Sequence, residues 1–199
     1  MRQKIIVGID EVGRGPLAGP VSVGIVACKT HFVIDGITDS KLMTEAARER
    51  VYKLAKEMMR RGELIFGVYS TTASYIDRGG IEVAIADAIQ RGLAELAPDT
   101  TKVELVLDGH LKAPAEYRQQ SLIHGDALVP AISLAAIVAK VERDRYMSGK
   151  AHKAYPQYAF DEHKGYGTLT HIKNIRIHGM SPLHRRSFLR NIVLESRHG

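Results

Sequence analysis

The feature that most constrains this chain is a pair of apolar segments joined by a short loop rich in glycine and proline. Residues 4–9 are apolar and lead directly into Asp10, while residues 20–28 are mostly β-branched and alternate in polarity. The connection over 11–19 contains three glycines and a proline, which is typical of a loop. Because a short link favours antiparallel pairing, we expect a pair of antiparallel strands here.

The rest of the chain alternates between helix and strand patterns. Thr44 can cap a helix over 45–61, and apolar residues recurring on one face predict a helix over 81–96. Antiparallel strands followed by alternating elements predict an α/β fold with a five-stranded mixed sheet flanked by helices. We expect a catalytic domain over 1–150 and a basic helical extension over 151–199 that packs on it. The other predicted strands cover 63–70, 102–107 and 119–123, and the other predicted helices cover 131–147, 168–177 and 187–195.

Composition and charge narrow the class of protein. Apolar residues make up 45% of the chain, enough for a sizeable core, but no apolar run is long enough to span a bilayer. Cys28 is the only cysteine, which excludes an internal disulfide, and we expect a cytoplasmic protein without a signal peptide. The net charge is +6, and residues 140–199 alone carry +7. Such a region attracts polyanions, although solvated helix faces would give the same count.

Acidic residues occur where the predicted strands end. Asp10 and Glu11 follow the first strand, Asp108 follows the fourth, and Asp126 comes shortly after the fifth. A cluster of carboxylates is costly unless cations neutralise it, and Mg²⁺ and Mn²⁺ prefer oxygen ligands. Two such ions can catalyse phosphodiester hydrolysis. The alternative is that each aspartate caps a turn, since Asp-Gly is a common turn dipeptide.

Several sequence motifs follow one another along the chain. The first runs from Asp10 to Val21 and includes Gly13-Arg14-Gly15. The others are Asp39-Ser40-Lys41, Leu107-Asp108-Gly109, Gly125-Asp126 with the helix after it, His163 to Thr168, and His184 to Phe188. Together these motifs resemble the bacterial ribonuclease HII family, in the family's order, and the resemblance covers nearly the whole chain.

The resemblance implies an RNase H-like fold with a C-terminal helical extension and two Mn²⁺ or Mg²⁺ ions per site. It implies an enzyme that hydrolyses the RNA strand of RNA–DNA hybrids and cuts 5′ to single ribonucleotides embedded in DNA, leaving a 5′-phosphate and a 3′-hydroxyl. By the same resemblance, Asp10, Glu11, Asp108 and Asp126 bind metal and carry out catalysis. The Gly13-Arg14-Gly15 loop contacts the ribonucleotide, and Tyr166 senses the next sugar. We expect a monomer that acts on such duplexes.

Further basic residues in these motifs are candidates for substrate contacts. Lys41, Lys164, Arg185 and Arg186 are predicted to hold phosphates, which fixes register without reading sequence. Ser133 either contacts a phosphate or caps its helix. His184 is either a proton shuttle or, preferably, a structural hydrogen-bonding group.

Three positions depart from the family's pattern. Leu42 stands where a second lysine is usual, so one phosphate contact is missing. Ala136 stands where a serine is common. Gly79-Gly80 replaces a segment that usually carries an asparagine, so the helix starting near 81 is predicted to lack a side-chain cap.

Other functions remain open from the sequence alone. One alternative is a related nuclease that processes longer hybrids or junctions. Another is a catalytically silent protein that binds RNA–DNA duplexes and uses the acidic residues as structural caps. A P-loop is excluded, because the glycine-rich stretch lacks the Gly-Lys-Ser/Thr ending.

Overall fold

A five-stranded mixed sheet forms the centre of the computed structural model, which describes residues 5–37, 43–97 and 99–190. The strand order is β3-β2-β1-β4-β5. The first three strands pair in antiparallel fashion, as predicted, while β4 and β5 run parallel to β1. The predicted fold class is therefore confirmed. The strands are β1 (Ile5–Val12), β2 (Val21–Lys29), β3 (Leu64–Thr71), β4 (Val103–Asp108) and β5 (Gln119–Leu122).

Helices cover both faces of this sheet. The helix α3 (Ile81–Leu96) packs on one face, and α1 (Glu45–Arg60) and α5 (Pro130–Tyr146) share the core on the other. Every helix within these ranges is too short or too polar to cross a bilayer. The remaining helices are short: α2 (Ala73–Gly79), α4 (Gly125–Leu128), α6 (His152–Ala154), α7 (Phe160–His163) and α8 (Leu169–His178).

Two glycines allow α5 to lie directly on the central strands. A Cβ atom at Gly8 of β1 would lie 2.2 Å from the carbonyl carbon of Ala131, and one at Gly24 of β2 would lie 2.1 Å from the carbonyl oxygen of Ala135. Any side chain at these positions would collide with helix backbone, which cannot move aside as a flexible side chain can. The close approach fixes α5 against the strand that carries Asp10.

The C-terminal part of the described chain continues from α5 without a break. A π-helical segment, Met147–Ala151, joins α5 to α6, so residue 150 lies inside continuous helix. The predicted boundary between a catalytic domain and a C-terminal extension at residue 150 stays a prediction. Tyr158, Phe160 and Ile175 form a small third core with Ala18, which attaches this part to the loop between β1 and β2.

Most predicted elements are confirmed within a residue or two. The Thr44 hydroxyl caps α1 by accepting a hydrogen bond from Ala47 N, and α3 begins after Gly80 without a side-chain cap. The short helices α2 and α4 were not predicted, since neither is long enough to show a periodic pattern. Of the helix predicted over 187–195, the described residues contain a 3-10 turn, Arg186–Phe188, and the part beyond 190 lies outside them.

The contact between α5 and β2 can be tested by adding one methyl group. Gly24→Ala is expected to lower the free energy of unfolding by about 1–3 kcal/mol or more, because overpacking forces the backbone to shift. Gly149→Ala is the control, since a Cβ there meets no atom within 4 Å. Urea denaturation followed by circular dichroism would measure both. Equal unfolding midpoints for the two variants would show that α5 does not lie against Gly24.

Candidate active site

The parallel pairing of β1 with β4 brings the acidic residues together. Ile9 pairs with Leu107, so the next residues, Asp10 and Asp108, are neighbours across the two strands. Glu11 follows Asp10 inside β1, which continues to Val12 rather than ending before Asp10 as expected.

Asp126 reaches the same place from a different element. It lies in the first turn of α4, four residues past the end of β5, and not at the strand end itself. Its backbone N–H donates to Asp108 Oδ1 at 3.4 Å. The four predicted carboxylates therefore do lie together, although only Asp108 occupies the last residue of a strand.

The environment of these carboxylates opposes their negative charge. Asp10 is 7% exposed and Asp126 is 3% exposed. Burial raises the pKa of Asp10 well above its usual value, and the charges of Glu11 and Asp108 raise it further. Burial also raises the pKa of Glu11, an effect that the Arg14 guanidinium, 3.5 Å away, partly opposes. A cation bound here would relieve this repulsion.

The donor set of this cluster fits a hard divalent cation. Four carboxylates supply only oxygen ligands, which Mg²⁺ and Mn²⁺ prefer. Within the described ranges, no three His, Cys, Asp or Glu side chains already converge on one point as ligands of an ion would. Binding of a metal ion would therefore require the carboxylates to turn towards it. The attraction of the cation would offset their mutual repulsion.

A groove of about 380 Å³ opens beside the acidic cluster. It brings together three of the acids, the Gly13-Arg14-Gly15 loop and Tyr166, as the sequence predicted. Ala136, one of the departures from the family pattern, forms part of its wall. The lining residues are Asp10, Glu11, Val12, Gly13, Arg14, Gly15, Arg48, Asp108, Ala136, Lys140 and Tyr166.

Two basic residues in this groove were missed by the sequence analysis. Arg48 comes from α1 and donates to the carbonyl of Met43 at 2.5 Å, and Lys140 comes from α5 and pairs with Asp144 at 3.0 Å. Their helical positions gave no signal beyond ordinary surface charge. Only long-range packing brings them to the acidic residues.

Tyr166 lines the groove together with the glycine loop. Its side chain is half exposed, and its ring lies 5.8 Å from Lys140 Nζ and 6.0 Å from the guanidinium carbon of Arg143. Both cations lie over the ring, and part of the side chain remains accessible. A sugar or base in the groove would meet this accessible part.

Two buried guanidinium groups hold the loop over 13–20 in place. Arg185 donates to the carbonyls of Gly13, Arg14 and Gly19 at 2.6, 2.8 and 3.0 Å. Burial, and then the charge of Arg143, lowers the pKa of Arg185 to about 9.

Arg143 binds the same loop from the α5 side. It donates to Pro20 O at 2.9 Å, to Ala18 O at 3.3 Å and to Lys164 O at 3.1 Å. Its Nε would lie 2.4 Å from a Cβ at Gly13, where φ is +90°. Only glycine suits that position, because both the backbone conformation and the packed guanidinium disfavour a side chain.

These contacts correct two of the predicted substrate ligands. Arg185 is 0% exposed, and its donors are occupied by main-chain carbonyls, so it braces the loop and has no free face for a phosphate. Ser133 is 3% exposed and donates to the carbonyls of Asp126 and Val129. Its hydroxyl therefore fixes the turn that carries Asp126.

The other predicted contacts have mixed positions. Arg14 lines the groove but pairs with Glu11 and with Glu82 of α3. Lys164 and Arg186 lie outside the groove lining, and their phosphate contacts stay predictions. Lys41 and the Leu42 departure lie outside the described residues.

His184, whose role the sequence left open, is structural. It is 2% exposed, does not line the groove, and bonds to Ser181 and His171. A proton shuttle would need access to the reacting groups.

Comparisons with known proteins agree on one family. A family profile described as Ribonuclease HII matches residues 7–191. The chain is 42% identical over 187 residues to the protein named Ribonuclease HII of Ralstonia nicotianae, an alignment that covers 94% of this chain and 77% of that protein. It is also 42% identical over 185 residues to the Ribonuclease HII of Nitrosomonas europaea, covering 93% and 82%.

Solved structures share the fold. Ribonuclease H2 from Pyrococcus horikoshii OT3 aligns with a TM-score of 0.77 and 22% identity, covering 98% of this chain and 100% of that chain. Bst-RNase HIII in complex with Mn²⁺ aligns with a TM-score of 0.72 and 16% identity, covering 99% and 71%. At such identities the likeness shows the fold alone.

The structural role of Arg185 can be tested by a substitution that keeps its charge. Arg185→Lys replaces three guanidinium donors in fixed geometry by one ammonium group, and should lower the free energy of unfolding by at least about 1–3 kcal/mol because buried carbonyls lose their donor. Arg186→Lys, at the exposed next residue, should change it by less than about 0.5 kcal/mol. Chemical denaturation would compare them, and a wild-type midpoint for Arg185→Lys would contradict the bracing role.

Proposed function

The chain belongs to the ribonuclease HII family, whose activity is cleavage of the RNA strand in RNA–DNA hybrids, and we propose that this enzyme also cuts 5′ to single ribonucleotides embedded in DNA. The observation that carries this proposal is the groove itself. It places the acidic cluster, a glycine loop and an accessible tyrosine ring around one space. An enzyme that recognises a junction between two kinds of sugar needs a group for each sugar next to its catalytic centre.

The four carboxylates Asp10, Glu11, Asp108 and Asp126 would hold two Mg²⁺ or Mn²⁺ ions. Such ions would supply an activated water and stabilise the leaving 3′ oxygen of the phosphodiester. Cleavage of that bond leaves a 5′-phosphate and a 3′-hydroxyl. The likeness in fold to a ribonuclease HIII solved with Mn²⁺ is in keeping with this donor set.

The Gly13-Arg14-Gly15 loop is suited to detect the 2′-hydroxyl of the ribonucleotide. A 2′-hydroxyl both donates and accepts hydrogen bonds, and main-chain groups at glycine can approach it without a side chain in the way. The carbonyls of Gly13 and Arg14 accept hydrogen bonds from Arg185, which restrain the loop. A fixed loop loses little entropy when the substrate binds.

Tyr166 is suited to sense the sugar that follows. A flat ring packs well on a deoxyribose and leaves no room for an added hydroxyl. Arg48 and Lys140 supply positive charge inside the groove, which would attract the phosphates on either side. Lys41, Lys164 and Arg186 remain proposed phosphate contacts further along the duplex.

The alternative, a catalytically silent duplex-binding protein, is disfavoured by the cost of the acidic cluster. Residues that only cap turns have no need to be buried against other carboxylates, as Asp10 is beside Glu11 and Asp108. Such an arrangement lowers stability, which is typical of catalytic groups. We further propose that the enzyme acts as a monomer in the cytoplasm.

Replacing Asp10 should separate cleavage from binding. Asp10→Asn removes a charged metal ligand, and we expect cleavage of a single-ribonucleotide duplex with Mg²⁺ or Mn²⁺ to fall at least about a hundredfold, the loss typical of one electrostatic catalytic group. Duplex binding should persist, since the cations of the groove, Arg14, Arg48 and Lys140, are unchanged. In buffer without divalent ions the variant should be more stable than wild type, because a buried, repelled charge is gone.

Asp87→Asn provides the control for this substitution. Asp87 lies on α3, outside the groove lining, and pairs with Arg91. Its replacement should leave cleavage unchanged. Turnover by Asp10→Asn at the wild-type rate would rule out the assigned metal site.

Replacing Tyr166 should weaken junction recognition. Tyr166→Ala is expected to reduce transition-state stabilisation on a single-ribonucleotide duplex by about 1–3 kcal/mol, the contribution of an aromatic stacking contact. Tyr166→Phe should keep most activity if ring packing dominates. Both variants would be compared with wild type on that duplex and on a continuous hybrid, where the loss should be smaller. Unchanged junction cleavage by Tyr166→Ala would remove this residue from recognition.

A further inference from the structure

Three buried histidines lie directly behind the turn that carries Tyr166. His171 is 0% exposed, His184 is 2% exposed and His163 is 9% exposed. The rings of His163 and His171 stack with centroids 4.3 Å apart, and Tyr158 and Phe160 pack against the cluster. None of the three lines the groove, so direct contact with substrate does not explain them.

The hydrogen bonds of His171 and His184 form one directed chain. His171 Nδ1 lies 2.8 Å from the carbonyl oxygen of Tyr166, which can only accept, so Nδ1 carries the proton. The His171 Nε2 atom then has a free lone pair and accepts from His184 Nε2 at 3.1 Å. His184 Nδ1 is in turn an acceptor for the backbone N–H of Ser181 at 2.9 Å.

Both ends of this chain require the same assignment of protons. The Ser181 amide can only donate and the Tyr166 carbonyl can only accept, and the two histidines between them satisfy both. His163 is fixed in the same way, since its Nε2 lies 2.7 Å from Tyr158 O and its Nδ1 accepts from Gly165 N at 3.2 Å. Each imidazole has a donor and an acceptor site that its surroundings complete.

These hydrogen bonds can all form only while the imidazoles of His171 and His184 are neutral. A proton added at His171 Nε2 would place two N–H groups against each other, because His184 Nε2 already carries a proton. A proton added at His184 Nδ1 would face the N–H of Ser181. Burial, the largest cause, lowers the pKa of each of these histidines to about 4. At neutral pH the protons therefore stay in the arrangement that the hydrogen bonds require.

The turn held by this chain connects Tyr166 to the glycine loop. The Tyr166 carbonyl also accepts from Thr168 N at 2.9 Å, and Tyr166 N donates to His163 O at 2.9 Å. The neighbouring Gly165 carbonyl accepts from Leu17 N at 2.8 Å, in the same loop that Arg185 braces. The backbone of Tyr166 is thus bonded on both sides, and its ring is left to face the groove.

We propose that His171 and His184 are positioning residues for Tyr166, and that their chain of hydrogen bonds from Ser181 to the Tyr166 carbonyl sets the ring at the angle needed for junction recognition. This inference rests on the proposed role of Tyr166. It assigns the histidines no contact with substrate and no part in proton transfer. Their effect on cleavage passes entirely through the tyrosine.

The proton arrangement can be measured in the wild-type protein. Long-range ¹H–¹⁵N correlation spectra at neutral pH distinguish the two neutral tautomers of each histidine. We expect the Nδ1–H form for His171 and the Nε2–H form for His184 and His163. A charged His171, or the Nε2–H form, would overturn the proposal without any substitution.

A double-mutant cycle tests whether His171 acts through Tyr166. His171→Leu should lower kcat/KM on the single-ribonucleotide duplex about tenfold, a loss within reach of one buried hydrogen bond. In the Tyr166→Ala background the same substitution should lower it by less than about twofold, because coupled residues are not additive. An equal loss in both backgrounds would mean a general structural effect and would overturn the proposal.

Two further variants keep the cycle interpretable if His171→Leu folds poorly. His171→Asn keeps an N–H group at the same number of bonds from Cα as Nδ1 but lacks the Nε2 acceptor for His184, so it should lower kcat/KM by less than His171→Leu does. His31→Leu, at an exposed position, is the matched control and should cleave normally. A loss for His171→Asn as large as for His171→Leu would overturn the proposal.

The outcomes separate this inference from the function on which it rests. Normal cleavage by Tyr166→Ala would overturn the recognition role of the tyrosine and this inference with it. Impaired cleavage by Tyr166→Ala together with normal cleavage by His171→Leu would overturn the inference alone.

Discussion

The active-site groove depends on two buried guanidinium groups, and within the part of the chain that the structure describes no carboxylate hydrogen-bonds to either. Arg143 and Arg185 make six hydrogen bonds, all to main-chain carbonyls, and five of these carbonyls belong to the loop over 13–20. Burying a cation is costly, and the lowered pKa of both residues reflects that cost. The five loop carbonyls in turn receive their donors from these two side chains. The hydrogen bonds therefore offset the cost of burying the charge and hold the loop in place.

The acidic cluster is built on the opposite principle. Its members repel one another, and they are held together by elements that are stable for other reasons: the parallel pairing of β1 with β4 and the Ser133 hydroxyl behind Asp126. The site thus combines a tightly bonded loop with a group of charges that gains stability only when cations bind. The hydrogen bonds of the loop keep its shape without a ligand. The carboxylates, in contrast, are not arranged around a common point as the ligands of a metal ion would be.

Local sequence patterns were sufficient to predict the strands and the long helices, because these depend on neighbouring residues. The four carboxylates were predicted from their positions near strand ends together with the family resemblance, and their role as metal ligands stays a prediction. The bounds of α3 match the prediction, and the strand pairing brought the acids together as expected. The roles of Arg143, Arg185 and His171 could not be predicted, since the sequence does not show whether a basic residue is buried or exposed. The positive charge of residues 140–199 was interpreted as a surface for nucleic acid, yet two of its arginines lie in the interior. Arg48 was missed because it lies far in the sequence from the acidic residues, and only the folded structure brings it into the groove.

One helix links the interior of the molecule to the width of its groove. Ala131 and Ala135 of α5 rest on the bare backbone of Gly8 and Gly24, while Ala136, Lys140 and Arg143 on the same helix form the groove wall and brace the loop. The distance across the groove therefore depends on how closely α5 packs on the sheet, as well as on the residues that face the substrate. Gly8 and Gly24 do not line the groove, yet one methyl group beneath α5 is expected to displace the wall that Ala136 and Lys140 form, and so to change the width available to a duplex.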